Sequence, residues 1–267
     1  MESTPPSPVR PVKPASGYIG GKRNLSRRLV EMIGATPHRL YAEPFVGMGG
    51  VFLRRTSRPP TEVINDWSGD VVTLFRVLQR HYVAFLDMLR FQLTTREAFE
   101  RLQRIDPTTL TDLERAARFL YLQRVAFGGK VSGRNFGAIY EGGARFDVTR
   151  LQPILEDIHT RLAGVVIERL PYGEFIPRYD RPGTLFFVDP PYWGCEDDYG
   201  PGMFSEADFD RLRALLEALQ GRFILTLNDR PETRALFAQF DVQPVTLTYR
   251  LSGAPTEGRE LIITGPN

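Results

Sequence analysis

The sequence predicts an α/β protein: a mostly parallel sheet covered by helices on both faces and interrupted by a helical insertion. Three observations carry this. Short continuous apolar runs of strand length alternate with helically spaced apolar residues, as in a sheet buried on both sides. Strand signals vanish from about residue 80 to 165 and then resume. Unusual motifs fall at the ends of two strand-like runs, where open α/β sheets bind ligands.

The elements follow in order. MESTPPSPVRPVKPAS is Pro-rich without an apolar period, so residues 1–16 are expected to form a disordered tail. Leu25, Leu29, Met32 and Ile33 share one helix face, with Gly34 as a stop. Leu40-Tyr41-Ala42 reads as a strand that runs into Glu43–Gly50, with a helix expected from Val51. Thr61-Glu62-Val63-Ile64 reads as a second strand, followed by one long helical pattern from Val71 to Leu89. Thr111 and Glu114 have capping-box spacing and open a helix through Arg124. A glycine-rich, basic, aromatic loop follows, Phe127 to Gly137. Gly164–Ile167, Thr184–Val188 and Phe223–Leu227 are further strands. Ser205 caps a helix stopped by Gly221, Pro231 suits a first helical turn, and Val245–Tyr249 with Leu261–Thr264 reads as a terminal hairpin.

Composition narrows the classes. The 267 residues are 42% hydrophobic and 25% charged, which excludes disorder, collagen and coiled coil as the main state. No apolar run approaches the roughly 18–20 residues of a bilayer span. No apolar signal region opens the chain, and Cys195 has no second cysteine to pair with, so a reducing cytoplasm is expected. With one cysteine and three scattered histidines, His38, His81 and His159, no metal site is expected. Arg115, Arg118, Arg124, Lys130, Arg134 and Arg145 crowd a window whose only acid is Glu141. Such a basic zone points to nucleic acid or to a solvated surface.

The Glu43–Gly50 turn lets backbone approach a ligand closely. It fails the G-x-G-x-x-G fingerprint because Phe52 takes the third glycine position, and no phosphate-loop motif is present. Asp66 follows the next strand, where an acid can accept both hydroxyls of a ribose. The turn alone serves equally as a tight structural turn; with Asp66 it points to a nucleoside. Asp189-Pro190-Pro191-Tyr192 is sharper. The prolines remove two backbone donors, and the Asp189 carboxylate with the Asp189 and Pro190 carbonyls makes an acceptor-rich corner. That corner suits the NH2 of a planar base, with Tyr192 to stack on the ring. Hydrogen bonds to such an amine favour a tetrahedral nitrogen with a free lone pair. A base in a duplex reaches the corner only when flipped out.

These motifs, in this order, resemble the Dam-like, α-group or D12-class, DNA adenine-N6 methyltransferases, with the closest feel to prophage-type members. The carrying residues are Tyr18-Ile19-Gly20-Gly21-Lys22, Glu43-Pro44-Phe45-Val46-Gly47-Met48-Gly49, Ile64-Asn65-Asp66 and Asp189-Pro190-Pro191-Tyr192, over a match from about Ser16 to the C-terminus. The resemblance implies a Rossmann-like S-adenosylmethionine-dependent sheet, residues 17–80 and 165–267, and an inserted helical target-recognition domain, residues 81–164. It implies a cofactor site of Tyr18, Gly21, Lys22 (on the cofactor carboxylate), Glu43 (by its amine), Phe45, Gly47, Gly49, Asp66 (on the ribose) and Asp189. Phe175 is either a partner of the cofactor's adenine or a core aromatic. Asp189, Pro190, Pro191 and Tyr192 hold the target adenine in double-stranded DNA, and Arg124, Lys130, Arg134 and Asn135 are candidate DNA contacts. Family members that read GATC show an aromatic residue then Asn-Gly after the recognition helix. Here the run is Phe127-Gly128-Gly129, so GATC is not implied. Cytosine-N4 methylation makes similar demands on the corner, although those enzymes more often carry serine at the position of Asp189. A non-catalytic DNA-binding protein on the same fold and a nicotinamide-dependent dehydrogenase are the rivals from other classes.

Overall fold

A computed structural model describes residues 6–18, 20–126, 131, 133–137, 145–196, 202–249 and 256–265. The strands are β1 (Ser7–Pro8), β2 (Leu40–Glu43), β3 (Ser57–Arg58), β4 (Thr61–Asn65), β5 (Val166–Glu168), β6 (Thr184–Val188), β7 (Arg222–Asn228), β8 (Asp241–Tyr249) and β9 (Thr256–Thr264). The helices are α1 (Ser26–Ala35), α2 (Gly69–Arg80), α3 (Tyr82–Leu89), α4 (Arg96–Arg104), α5 (Asp112–Val125), α6 (Val148–Arg161), α7 (Tyr172–Tyr179), α8 (Glu206–Glu217) and α9 (Pro231–Leu236).

Seven strands form one sheet in the order β5-β4-β2-β6-β7-β9-β8. The first five are parallel, and β9 runs antiparallel between β7 and β8. Every residue of β6 is buried. Leu185 and Phe187 join the apolar cluster on one face, while Phe186 and Val188 join the cluster on the other. This alternation is the period of two that a strand imposes, and it makes the sheet the wall between two cores, giving the Rossmann-like α/β fold.

The helices of residues 81–164 pack into the same apolar cluster as Leu53, Ile64 and Val71: Phe85, Phe99, Phe119 and Leu155 all belong to it. The expected long helix is two, broken at His81, whose main chain leaves the helical region (φ −126°, ψ 28°). The apolar period continues across the break, so the pattern does not reveal it. The capping box at Thr111 and Glu114 is formed, as is one at Ser205 and Asp208.

Two further expectations are corrected. The helix expected from Val51 is a single 3₁₀ turn, Phe52–Arg54, after which Arg55 is extended (φ −65°, ψ 146°). Nor do residues 6–16 behave as a tail. β1 pairs with β3, Val9 N donates to Thr56 O (2.9 Å), Val12 N donates to Leu53 O (2.7 Å), and Val12 and Ala15 are buried. An extended Pro-rich segment needs no apolar period to lie along an edge, because its hydrogen bonds go to a neighbour.

The early departure into Arg55 is explained by a buried ionic cluster. Glu62 on β4 accepts from Arg55 (2.6 Å) and twice from Arg161 of α6 (2.6 and 2.7 Å). All three side chains are 2–3% exposed. Arg55 lies over the Tyr41 ring at 3.7 Å and Arg161 over Phe52 at 4.1 Å. Removing the acid leaves two buried guanidinium groups unpaired, which costs about 3–5 kcal/mol. Glu62→Ala is therefore expected to lower the denaturant midpoint sharply, more than Glu62→Gln, which keeps an acceptor oxygen. Equal midpoints for all three proteins would refute the cluster's importance.

Candidate active site

β2 and β6 pair in parallel, and the chain leaves them toward opposite sides of the sheet, to β4 and to β7. Their C-terminal ends therefore form the topological switch point. A cavity of about 740 Å³ opens there, within the range of small-molecule sites. Its walls come from Lys13, Pro14, Ser16 to Tyr18 and Gly20 to Arg23, from Glu43 at the end of β2 and Phe45, Gly47 and Gly50 after it, from Asp66 to Ser68, from Asp189 and Pro191, and from Met203 and Phe204.

The loop after β2 is held by one buried amide. Asn65 Nδ2 donates to Pro44 O (2.9 Å) and Leu170 O (3.0 Å), its Oδ1 accepts from Leu170 N (2.8 Å), and its carbonyl accepts from Val46 N (2.9 Å). Gly47 takes φ +49°, where a Cβ would press on the Tyr18 ring at 3.0 Å, so glycine is needed for both conformation and contact. Its N–H donates to Asp66 Oδ2 (2.9 Å), and Ser68 N donates to Oδ1 (2.8 Å). Phe45 packs against Tyr172 (5.6 Å) and Phe204 (6.1 Å).

On the β6 side, Lys22 is buried and its Nζ meets Asp189 Oδ1 at 2.7 Å. The same ammonium donates to Gly20 O (2.9 Å) and sits 4.4 Å from the centre of the Tyr192 ring. Thr226 on β7 donates to the same Asp189 Oδ1 (2.7 Å). Asp189 Oδ2 and the Pro190 carbonyl accept from none of the described residues. Tyr192 donates its hydroxyl to Glu260 of β9 (2.7 Å). Asn228, last in β7, brackets the exit: its Oδ1 accepts from Trp193 N (3.0 Å) and its Nδ2 donates to Trp193 O (2.9 Å).

The site's acids are held toward their neutral forms. Burial pushes Glu43 up to about 8, against the Tyr41 hydroxyl bond at 2.7 Å and with Asp189 adding to the rise. Burial pushes Asp66 up to about 6, opposed by the Ser68 and Gly47 amides. Burial also raises Asp189, opposed first by the charge of Lys22.

The cavity thus gathers Tyr18, Gly21, Lys22, Glu43, Phe45, Gly47, Asp66 and Asp189 from four parts of the chain. It does not gather every expected residue. Gly49, at φ +73°, is not in the lining, and a Cβ there would meet Leu53 at 2.8 Å, so its glycine serves the turn. Phe175 is fully buried against Tyr179 (4.9 Å) and belongs to the core rather than the cavity. Neither Pro190, which is buried, nor Tyr192, which is half-buried, is in the lining. Lys22 is engaged with Asp189 rather than free for a carboxylate.

The expected DNA contacts divide. Arg124 lines the cavity, but its guanidinium donates to Ala15 O (2.7 Å) and Arg145 O (3.2 and 3.3 Å). Arg134 donates to Gln123 Oε1 (3.1 Å) and lies 5.8 Å from the Phe119 ring. Both side chains are engaged within the protein. Asn135 is exposed, and Lys130 lies outside the described residues. Trp67, Asn65, Thr226, Asn228 and Glu260 were missed by sequence reasoning. Trp67, beside Asp66 and 44% exposed in the cavity wall, was signalled by that adjacency. A polar residue inside an apolar strand run was the signal for Thr226.

Comparison with known proteins decides the family. The model of the D12 class N6 adenine-specific DNA methyltransferases matches residues 18–251. The chain belongs to this family. The methyltransferase is 26% identical over 278 residues to the type II methyltransferase M1.LlaDCHI of Lactococcus lactis subsp. cremoris, covering 95% of each chain. It is 21% identical over 228 residues to the type II methyltransferase M.CviBI of Paramecium bursaria Chlorella virus NC1A, covering 85% of this chain and 86% of the other. It is 26% identical over 265 residues to the DNA N-6-adenine-methyltransferase of Escherichia phage P1, covering 88% of this chain and 34% of that one. The methyl donor of such enzymes is S-adenosylmethionine, and the cavity fits it: aromatic side chains at Phe45 and Trp67, an acceptor at Asp66 for hydroxyls, and acids at Glu43 and Asp189 for positive charge. Among the described residues, no group of three or more His, Cys, Asp or Glu is placed to hold a metal, and no helix is long and apolar enough to cross a membrane.

The raised acid has a consequence in the free enzyme. Glu43 binds a proton in the folded state up to about pH 8, whereas in the unfolded chain it has lost it above its ordinary value near 4.5. Its contribution to stability is therefore fully present below about pH 4.5 and is lost as pH rises toward 8. Melting temperature is expected to fall more steeply between pH 5 and pH 8 in the wild type than in Glu43→Gln; parallel curves would contradict the protonated carboxyl.

Proposed function

We propose that the enzyme methylates the exocyclic N6 of an adenine flipped out of double-stranded DNA, and that Asp189 receives the amine. One observation carries this reading. Asp189 lines the cavity with one carboxylate oxygen occupied by Lys22 and Thr226, while among the described residues no donor reaches the other oxygen or the carbonyl of Pro190, the buried residue that follows it. Two open acceptors suit the two protons of one NH2 group.

In this reading Asp189 Oδ2 and the Pro190 carbonyl draw on the amine hydrogens and hold the nitrogen lone pair out of conjugation with the ring. Tyr192, its hydroxyl fixed by Glu260, offers its face to the base. Bound there, S-adenosylmethionine would supply an electrophilic methyl carbon to the N6 lone pair, the new N–C bond replacing the C–S bond, whose electrons would stay on sulfur, and one amine proton would pass to water. Asp66 accepts the ribose hydroxyls, Tyr18, Gly21, Phe45 and Gly47 line the cofactor's path, and Glu43 faces positive charge. Lys22 is assigned to Asp189 rather than to the cofactor carboxylate. The recognition region is assigned to the helices and loop of residues 81–164, with Lys130 and Asn135 as its candidate DNA contacts. A cytoplasmic location follows from a DNA substrate and a single cysteine.

Methyl transfer from labelled S-adenosylmethionine to methylation-free DNA, with bases identified by mass, tests the reading. N6-methyladenine is expected, and Asp189→Ala should lower its formation by at least ~10³-fold while cofactor binding, followed by calorimetry, persists. N4-methylcytosine instead would overturn the assigned base. Asp66→Asn should weaken cofactor binding, and wild-type binding should weaken as pH falls below about 6, where Asp66 takes up a proton. Affinity that is flat from pH 5 to pH 8 would remove Asp66 from the ribose.

A further inference from the structure

Thr226 is completely buried within β7, on a strand otherwise built from apolar residues at its centre. A buried hydroxyl is costly unless hydrogen-bonded, and valine has the same shape without that cost. The hydroxyl has one close partner: Oγ1 donates to Asp189 Oδ1 at 2.7 Å, with Val188 O farther away at 3.5 Å. Lys22 Nζ reaches the same Oδ1 at 2.7 Å from the other side of the chain. The terminal torsion of an aspartate is broad and nearly two-fold, so an unrestrained carboxylate presents either oxygen. Two donors on one oxygen remove that freedom.

We propose that Thr226 is a positioning residue for methyl transfer, acting through Asp189: its hydroxyl pins Oδ1, so that Oδ2 is the oxygen presented to the adenine amine. The inference rests on the assignment of Asp189 made above. Lys22 alone does not do this, because an ammonium is a point charge that either carboxylate oxygen satisfies. Thr226 adds direction, since it sits on a strand hydrogen-bonded to β6, the strand that leads into Asp189.

The groups facing Asp189 are Lys22 from the N-terminal segment, Thr226 from β7, Glu260 from β9 and Glu43 from the end of β2. Lys22 and Thr226 favour the ionised carboxylate, while burial and the two glutamates oppose it. Loss of the Thr226 hydroxyl therefore moves the Asp189 titration to higher pH.

The test compares Thr226→Val, Thr226→Ala and Thr226→Ser with the wild type, each shown to be folded by its thermal melt. Asp189 is titrated in the ligand-free protein by carboxyl ¹³C resonance, assigned with Asp189→Asn, and kcat and KM are measured across pH. Val and Ala are each expected to raise the Asp189 midpoint, shift the acid limb of kcat upward with it, and lower kcat roughly 10- to 100-fold with little change in KM. Ser should restore both the midpoint and kcat. An unmoved midpoint in the folded Val and Ala proteins overturns the proposal, whatever happens to kcat, as does a kcat loss that Ser does not rescue. A wild type without adenine methylation removes the parent reading and this one together; an active wild type with an inactive Asp189→Asn and an unaffected Thr226→Val removes only this one.

Discussion

The ion pair between Lys22 and Asp189 organises the site. It joins two segments far apart in sequence, the loop before α1 and the exit of β6, through two nearly buried charges at 2.7 Å. Neither charge is tolerable there alone. The lysine side chain is 3% exposed and the aspartate 19%, so the pair sits at the boundary between core and cavity, with the acid on the cavity side. From this one constraint follow the placing of the Lys22 ammonium over the Tyr192 ring and the presence of a cation that opposes the rise burial imposes on the Asp189 carboxyl.

Charge balance around that pair also explains why the rest of the cavity is arranged as it is. With Lys22 matched to Asp189, the remaining acids, Glu43 and Asp66, have no cation in contact among the described residues, and both are pushed toward protonation. They are stabilised instead by neutral donors, the Tyr41 hydroxyl in one case and the Gly47 and Ser68 amides in the other. A cavity built in this way gains when positive charge or hydroxyl donors enter it, because the ionised forms then acquire the partners that the folded chain withholds. The same logic separates it from the cluster at Glu62, where two arginines satisfy one acid and nothing is left for a ligand.

How much was legible in the sequence depends on how locally each feature is determined. The strand-end motifs were readable because a glycine turn, a following acid and a Pro-Pro corner each act within a few residues, and the sheet then delivers them to one place. The individual roles within the basic window were not legible, for the opposite reason. Charge in a sequence carries no direction, and Arg115 pairs with Asp70, Arg118 donates to Leu102 and Gln103 carbonyls, Arg124 to Ala15 and Arg145, and Arg145 to Ala126. Most of that charge holds the helical region together. Phe175 was ambiguous in sequence because an aromatic residue on a helix face has the same period whether it meets core or ligand; its partner Tyr179 decides for the core.

Thr226, Asn228 and Glu260 show what pattern alone does not reveal. Each occupies a strand whose apolar run predicts only burial, and each finds its partner through register: Asn228 stands opposite Glu260 in the β7–β9 ladder, two positions beyond Thr226. The period of two then turns Thr226 and Asn228 to the same face of β7, where one reaches Asp189 and the other Trp193. A slip of one residue in that ladder would turn both away and set Leu225 and Leu227 in their place. The antiparallel strand β9 thereby does more than close the sheet. By fixing the register of β7 and supplying Glu260 to Tyr192, it sets the geometry of the Asp189–Tyr192 corner from behind, and the catalytic motif at the end of β6 is only as well defined as the two strands beside it.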